Sequence, residues 1–245
     1  GENLSFKLNG SYEWEVGNKQ ANSNSGLINS YELGLNVGLS LPRLLVPNFL
    51  KSNKDFAERT HFQIGMDFLN RHSFTGSTSY DFQSSWRVYH TITPLKLSYT
   101  HLLRTSKEFD ETMENNPAIA MSFKNQFIPS MAYTYTYDRA ATTRNPNRFY
   151  WQNMIMSSGN ILSAIQYISG DHQGQGKKIF GNIYSQFLKL TSEVIVYRKV
   201  TETSILATRF MGGIGYAYGN SRVMPYSEQF YIGGANSIRA FTIRS

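Results

Sequence analysis

Apolar and polar positions alternate along most of the chain with a period of two residues. From Phe6 to Val16 the even positions are apolar or glycine and the odd positions are polar, with carboxylates at Glu13 and Glu15. Successive side chains of a β-strand point to opposite sides of the sheet, so this run predicts a strand with one apolar and one polar face. The same alternation recurs in four further runs, which span residues 31–41, 62–68, 80–88 and 131–138.

Less regular runs predict the remaining strands, which we place at residues 94–103, 147–158, 186–198 and 204–217. Within the third-last of the nine, the stretch FYWQNMIM (149–156) is poorly phased, and its two faces are not assigned by alternation. No stretch sustains a helical period, and the best helix candidate is a short turn within KEFDETMENNPA (107–118). The sequence therefore predicts an all-β chain with nine strands.

The length of these strands favours a transmembrane barrel over a soluble sandwich. Strands in globular proteins typically have about five or six residues, whereas a strand that crosses a membrane needs about nine to eleven, alternating apolar-out and polar-in. The polar faces carry charged residues such as Asp67, Arg87 and Glu193, which suit a water-filled lumen. Because backbone groups in lipid must all be paired, such strands require a closed barrel. We predict that the even residues of 6–16 face lipid and that Glu13 and Glu15 face the lumen.

The connections between strands give a second test of a barrel. With the first strand leading outward, long outer loops are predicted at 17–28, 104–126, 159–185 and from 218 onward. Short inner turns are predicted around 91–94 and 199–203, as outer-membrane barrels require. Two connections depart from this pattern: 42–58 is a long inner connection and 72–78 is a short outer one. The polar stretch GDHQGQGKK (170–178) is expected to be a mobile outer loop.

An odd number of strands has a further implication. Bacterial single-chain barrels have even strand numbers, and an unpaired strand edge in lipid is untenable. We therefore expect the 245 residues to be part of a larger barrel, with strands missing at both ends and the last residues lying within a loop.

Composition narrows the classes of function. Aromatic residues make up 14% of the chain and charged residues 17%, against about 25% charged residues in soluble domains. There is no cysteine, so neither a disulfide framework nor a thiolate metal site is possible in these residues. The net charge of +7 comes from scattered Lys and Arg residues rather than a cluster, and we expect no nucleic-acid partner.

Candidate chemistry is sparse. The five histidines are dispersed without metal-ligand spacing, and GDHQGQGKK lacks the strand-to-helix context of a phosphate-binding loop. No serine lies in a nucleophile elbow. We predict no catalytic, metal or cofactor site, and an outer-membrane barrel lipase is the enzymatic alternative that the sequence leaves open.

The C-terminal stretch carries a resemblance to a known family. PYSEQFYIGGANSIRAFTIRS (225–245) resembles the sixth extracellular loop of BamA/TamA-type outer-membrane assembly barrels, the bacterial surface antigen family. There a glycine-rich approach leads to a V/I-R-G-F/Y motif. The motif residues in this chain are Gly233, Gly234, Asn236, Ser237, Ile238, Arg239, Ala240 and Phe241, and Ala240 departs from the family's usual glycine.

This resemblance implies a domain organisation. In the family the loop follows the eleventh of sixteen strands, so the chain would run from about the third strand to the sixth extracellular loop. Residues 1–245 would be an incomplete outer-membrane barrel domain ending in loop 218–245, which folds into the lumen so that Arg239 contacts acidic and aromatic groups on the inner wall. The periplasmic POTRA repeats and the remaining strands would be absent from this chain.

It also implies a function. A family member would assemble, insert or translocate outer-membrane proteins through the barrel, without a cofactor. Its partners would be the outer-membrane bilayer, client outer-membrane proteins and periplasmic or lipoprotein accessory subunits, and it would be integral to the outer membrane. A passive outer-membrane pore or transporter shares the barrel and the polar lumen, and it remains the alternative.

Overall fold

A single antiparallel sheet of nine strands dominates the computed structural model, which describes residues 1–13, 30–45, 58–68, 71–102, 125–140, 145–170, 176–179 and 181–230. Each strand pairs with its neighbour along the chain, except that a helix and a two-stranded hairpin intervene between β7 and β10. The elements are β1 (Asn3–Glu13), β2 (Ser30–Leu41), β3 (Arg59–Phe68), β4 (Arg71–Ser85), β5 (Val88–Leu102), β6 (Gln126–Arg139), β7 (Arg148–Ser158), α1 (Asn160–Ile168), β8 (Lys178–Ile179), β9 (Asn182–Ile183), β10 (Phe187–Lys199), β11 (Ile205–Ala217) and a 3-10 turn (Tyr226–Glu228).

The predicted all-β, antiparallel fold with nine long strands is confirmed. Within the described residues the sheet is not closed, and β1 and β11 are its two edges. The first strand begins at Asn3, three residues before the predicted start at Phe6, and residues 14–16 lie outside the described part of the chain. The sheet is therefore an open wall with the strand lengths of a membrane barrel.

The register confirms that the alternating positions form two continuous faces. Phe6 lies opposite Val37, which lies opposite Ile64, and these residues share one side of the sheet. On the other side Asn9 and Asp67 both approach Gly34, and the Ser73 hydroxyl donates to Asp67 Oδ2 at 3.0 Å. We call these the apolar face and the polar face.

Both faces continue through β11, including the stretch that alternation could not phase. Residues in one row across the later strands share the apolar face: Ile92, Tyr133, Ile155, Leu190 and Ile214. Another row shares the polar face: Tyr89, Thr136, Gln152, Glu193 and Met211. In β7 the polar face also carries Tyr150, Met154 and Met156, and these apolar residues obscured the pattern.

Two predicted connections are wrong. Residues 72–78 are not a loop but the first half of β4, and residues 91–94 are not a turn but part of β5. β3 and β4 pair as far as Phe68 opposite His72, and the turn between β4 and β5 is Trp86 and Arg87, which the alternation assigns to a strand. The stretch HSFTGSTSY (72–80) has small polar residues on the polar face, and its two faces differ little in polarity. Pro94 lies in β5 at a register shift between Thr93 and Lys96, where its missing N–H is tolerated.

The segment between β7 and β10 contains the largest departure from expectation. It holds a nine-residue helix, α1, followed by the hairpin of β8 and β9, and Tyr184 after the hairpin is fully buried. A plain polar loop is therefore the wrong description of 159–185. Residues 171–175 of GDHQGQGKK, and the helix candidate at 107–118, lie outside the described residues.

The connections between strands lie at the two opposite ends of the sheet. The connections after β1, β3, β5 and β7 and the chain after β11 lie at one end of the sheet, which we call the loop end. The connection between β2 and β3, at the opposite end, is long as predicted. In the described part of the chain no helix has the length and apolar character to cross a membrane.

Candidate functional site on the polar face

After β11 the chain turns back and lies on the polar face of the sheet. Met224 packs against a small buried cluster formed by Ile128, Met156 and Phe187, which come from β6, β7 and β10. Further along, the Ser227 hydroxyl donates to Gln126 Oε1 at 3.1 Å. The segment 220–230, which we call the inward segment, is thus attached to the inner side of three neighbouring strands.

The carboxylate of Glu228 fixes the inward segment electrostatically. Its Oε2 lies 3.0 Å from Lys189 Nζ, and its Oε1 lies 3.9 Å from Lys96 Nζ. Only 15% of the Glu228 side chain and 12% of the Lys189 side chain are exposed, so the pair is largely removed from water. Two cations on β5 and β10 therefore hold one carboxylate between them, and at low exposure such pairing is retained because an unpaired charge would be costly.

An aromatic ring and a glycine pair make the tightest contact of the segment. A Cβ atom at Gly213 would lie 2.3 Å from Phe230 Cζ, and one at Gly215 would lie 3.0 Å from Met224 Cε. The two β11 glycines thus form a shallow notch, on the polar face, into which Phe230 and Met224 fit. The Phe230 ring centroid is also 5.0 Å from Lys189 Nζ, a cation–π distance.

A buried polar network holds the start of the inward segment. The Asn220 side chain accepts from Lys177 N at 2.7 Å and donates to the carbonyls of Lys177 and Tyr184 at 2.9 and 2.8 Å. Gln186 Oε1 accepts from Asn220 N at 2.9 Å, and Gln186 Nε2 donates to Asn160 Oδ1 at 3.0 Å. The inward segment, the β8–β9 hairpin and α1 are therefore joined through satisfied hydrogen bonds.

A family model, described as the Omp85 superfamily domain, matches residues 1–245. The chain belongs to the Omp85 superfamily. Members of this superfamily are outer-membrane proteins that function in protein insertion and translocation, as assembly and transport factors rather than enzymes. Neither a search of curated proteins nor a search of solved structures returns a match for this chain.

The polar face of this Omp85 domain carries further charge pairs below the inward segment. Arg148 forms a two-pronged contact with Asp138, with distances of 3.1 and 2.8 Å, and Arg209 Nε contacts Glu193 Oε1. The Gln152 amide donates to Thr136 Oγ1 at 3.3 Å. Among the described residues no three His, Asp or Glu side chains form a cluster that could hold a metal ion. The polar face is thus a wall that carries charges of both signs, and the inward segment partly covers it.

The predicted site residues of the Omp85 domain, Gly233 to Phe241, lie within 231–245, outside the described residues. The structure instead places the residues just before them, and Phe230 on the polar face is three positions before Gly233. Sequence reasoning missed Glu228, Phe230 and the Gly213 notch. Glycines inside a strand commonly mark a close backbone approach, so MGGIGY in β11 was the available signal.

Proposed function

We propose that this Omp85 domain assembles, inserts or translocates outer-membrane proteins as a BamA/TamA-type barrel does. The observation that carries the proposal is the inward segment, which leads the chain from β11 onto the polar face and directs it toward the glycine-rich motif. A passive pore gives no reason for the glycine-rich motif that follows the inward segment at residues 233–241.

The proposed domain is an incomplete barrel that runs from the family's third strand to its sixth extracellular loop. The two unpaired sheet edges and the odd strand count support this assignment, because every backbone group within lipid needs a partner. The sequence resemblance at residues 225–245 supports the position of the loop. POTRA repeats and the remaining strands would then belong to other parts of the protein.

The proposed role of the motif is to brace the barrel from inside. In this role Gly233 and Gly234 would let the loop bend, Asn236 and Ser237 would continue the turn, and Ile238 and Phe241 would fill apolar space beside Arg239. The guanidinium would pair with acidic or aromatic groups on strands beyond residue 245, where reduced water contact strengthens a charge-assisted hydrogen bond. Ala240, at the family's usual glycine, requires a backbone that accommodates a Cβ.

The proposed mechanism uses strand pairing and burial of apolar surface, with no cofactor. In a barrel whose first and last strands pair weakly, the seam can open toward lipid and offer an unpaired edge to an incoming strand. The client's apolar face then leaves water, and this burial supplies about 25 cal/mol per Å² of favourable free energy. Clients, the bilayer and periplasmic or lipoprotein accessory subunits are the proposed partners.

The experiment that tests the function replaces Arg239 in the full-length protein. In cells that depend on the variant, Arg239→Ala should lower the level of folded outer-membrane proteins, measured by heat-modifiability on gels. Arg239→Lys should restore it poorly, because a point charge does not reproduce the planar guanidinium fork. Arg244→Ala, which removes a nearby arginine outside the motif, is the matched control.

The outcomes separate the two functions. Normal client levels in cells carrying Arg239→Ala, together with an intact barrel, would refute the bracing role. Normal client levels with altered uptake of small solutes in the same cells would favour the passive pore.

A further inference from the structure

The helix α1 presents its polar side to the protein and its apolar side outward. Gln166 is bound on the inner side, where its Oε1 accepts from Tyr184 OH at 2.9 Å and its Nε2 donates to Lys178 O at 3.1 Å. Ile161, Ile165 and Ile168, at the i, i+4 and i+7 spacing of one helical stripe, are 53%, 54% and 83% exposed. A helix on the surface of a water-soluble protein has the opposite arrangement.

The orientation of α1 is fixed rather than accidental. Asn160 Oδ1 accepts from Tyr218 OH at 2.8 Å and from Gln186 Nε2 at 3.0 Å, while Asn160 Nδ2 donates to Ser157 Oγ at 2.6 Å. Together with the two bonds of Gln166, these contacts hold both ends of the helix. Because the side chains of Asn160 and Gln166 form their hydrogen bonds within the protein, the opposite side of the helix, which carries the isoleucine stripe, faces outward.

A cleft of about 220 Å³ lies between α1 and the sheet. Its lining is almost wholly apolar, and in the described part of the chain no charged side chain borders it. The main contributors are Leu95, Leu97, Phe127, Pro129, Met131 and Leu162. The cleft is smaller than the pockets of about 300–1,000 Å³ that hold drug-sized molecules. A group that fits it must therefore be small in cross-section and apolar.

The cleft is continuous with the apolar face of the sheet. Leu97 and Met131 belong to the same side as Ile92, Tyr133 and Ile155, because residues two apart on a strand share a face. In an outer-membrane family this face is the surface that meets the hydrocarbon. The stripe on α1 extends that apolar surface past the last paired residues of β7.

We propose that α1 lies in the boundary layer of the membrane, with its isoleucine stripe against lipid and one acyl chain of a neighbouring lipid in the cleft. The occupant is a lipid chain because the cleft opens from the lipid-contacting face, carries no charge and is flanked by an outward apolar stripe. Residues Leu97 and Leu162 contact the chain from the sheet side and the helix side. The loop between β7 and β10 is thereby a lipid-contacting element and not only a surface loop.

The test measures the collision of a nitroxide label with oxygen, which concentrates in lipid, and with a water-soluble nickel chelate. Single-cysteine variants Ile165→Cys, Ile168→Cys and Leu162→Cys are made in the full-length protein with any other cysteine replaced. They are labelled and reconstituted into vesicles of phosphatidylethanolamine and phosphatidylglycerol. Ile155→Cys on the apolar face is the lipid control, and Lys178→Cys on the hairpin is the water control. Ile161→Cys replaces any stripe variant that does not fold.

At the stripe and cleft positions, oxygen collisions should exceed nickel collisions, as at the Ile155 control, and the order should reverse at Lys178. Nickel collisions equal to those at Lys178 would place α1 in water and overturn the proposal. Low collision rates with both reagents would show that protein, either a client or a second copy, covers the stripe, and would overturn it as well. Client assembly does not enter the readout, so failure here is distinct from failure of the proposed function.

Discussion

Two acidic residues of the chain show how much the setting of a charge matters. Glu228 and its partner Lys189 are 15% and 12% exposed and 3.0 Å apart, whereas Glu2 and Arg43 are 65% and 68% exposed and 4.0 Å apart. Exposed ion pairs contribute about 0–1 kcal/mol, while a hydrogen bond to a charged group with little water contact contributes about 1.5–3 kcal/mol. Of these two pairs, the Glu228–Lys189 pair should therefore make the larger contribution to the free energy of unfolding.

Replacing Glu228 by Gln should lower the free energy of unfolding of the full-length barrel by about 1.5–3 kcal/mol. The cause is the loss of the negative charge that Lys189 and Lys96 share. Denaturant unfolding in detergent micelles, followed by tryptophan fluorescence, measures the change. Glu2→Gln is the matched control and should stay within about 0.5 kcal/mol of the parent. Equal effects of the two substitutions would mean that the inward segment does not rest on Lys189.

Replacing Gly213 by Ala should displace Phe230 from the polar face. The added Cβ would lie 2.3 Å from the ring, and such overpacking costs about 1–3 kcal/mol. The neighbouring Gly212→Ala is the control, because its Cβ meets only Phe210 Cε1 at 3.9 Å. Unfolding midpoints of the two variants provide the comparison. If Gly212→Ala proves as harmful as Gly213→Ala, the harm does not come from the notch, because Ala is otherwise better tolerated than Gly inside a strand.

At the scale of elements, the return of the chain at Tyr184 and Ser185 fills a gap in strand pairing that begins where β7 ends. Beyond Ser158 the chain leaves the sheet, and β6 continues from Ser130 back to Gln126 with β5 as its partner on one side and without β7 on the other. The chain returns after the hairpin, Ser185 N donates to Phe127 O at 2.8 Å, and Tyr184 forms a parallel bridge to Phe127. Tyr184 and Ser185 thus restore a partner for this stretch of β6, and the chain leaves β7 at Gly159, which has φ +70°.

Gly159→Ala should loosen the whole detour between β7 and β10. Gly159 has φ +70°, which costs a residue with a side chain about 1–2 kcal/mol, and its Cβ would lie 2.5 Å from Ser185 O. Gly170→Ala tests φ alone, since φ is +93° there and nothing lies within 4 Å of the added Cβ. We expect faster proteolytic cleavage between 159 and 186 in folded Gly159→Ala than in Gly170→Ala. Indistinguishable cleavage would assign the effect to φ and not to the contact with Ser185.

At the scale of the whole molecule, the described sheet has two open edges and one strongly apolar face. On that face Phe6, Leu8, Phe210 and Ile214 are each about 70% exposed. Both features require further partners, which are lipid for the face and neighbouring strands for the edges. Their combination favours a wall segment of a larger barrel over an independent domain.

Residues 1–245 expressed alone should therefore not yield a heat-modifiable monomer in detergent micelles, whereas the full-length protein should. Unpaired β1 and β11 would pair between molecules, so light scattering should reveal aggregates. The full-length protein refolded in the same micelles is the control. A monomeric, heat-modifiable 1–245 would argue that the nine strands close on themselves.

Alternation predicts the strands in which one face is clearly apolar and the other clearly polar. Phe6 to Glu13 and Tyr133 to Asp138 have apolar residues on one side and polar residues on the other, and their strands were located to within a few residues. Ser73 to Ser79 lacks that contrast, because both faces there are mostly small and polar, so a strand was read as a loop.

For the candidate site the sequence predicts only the motif residues from Gly233 to Phe241, which lie outside the described residues, and none of the contacts of the inward segment. Lys189, Glu228 and Phe230 meet because β10, β11 and the inward segment are brought together by the fold, and their spacing of about forty residues in the chain has no periodic signature. Helix α1 was missed because its nine residues are too few to establish a sustained helical period in the sequence.

The two shortest connections of the sheet also bear on the order in which it forms. Phe68 pairs with His72 at the short β3–β4 connection, and Trp86 with Arg87 joins β4 to β5, so these three strands are close along the chain as well as in the sheet. Closing connections this short costs far less chain entropy than closing the connections after β1, β5 or β7. The β3–β5 meander is thus the natural nucleus of folding, and the remaining strands can add to it on either side, one hairpin at a time.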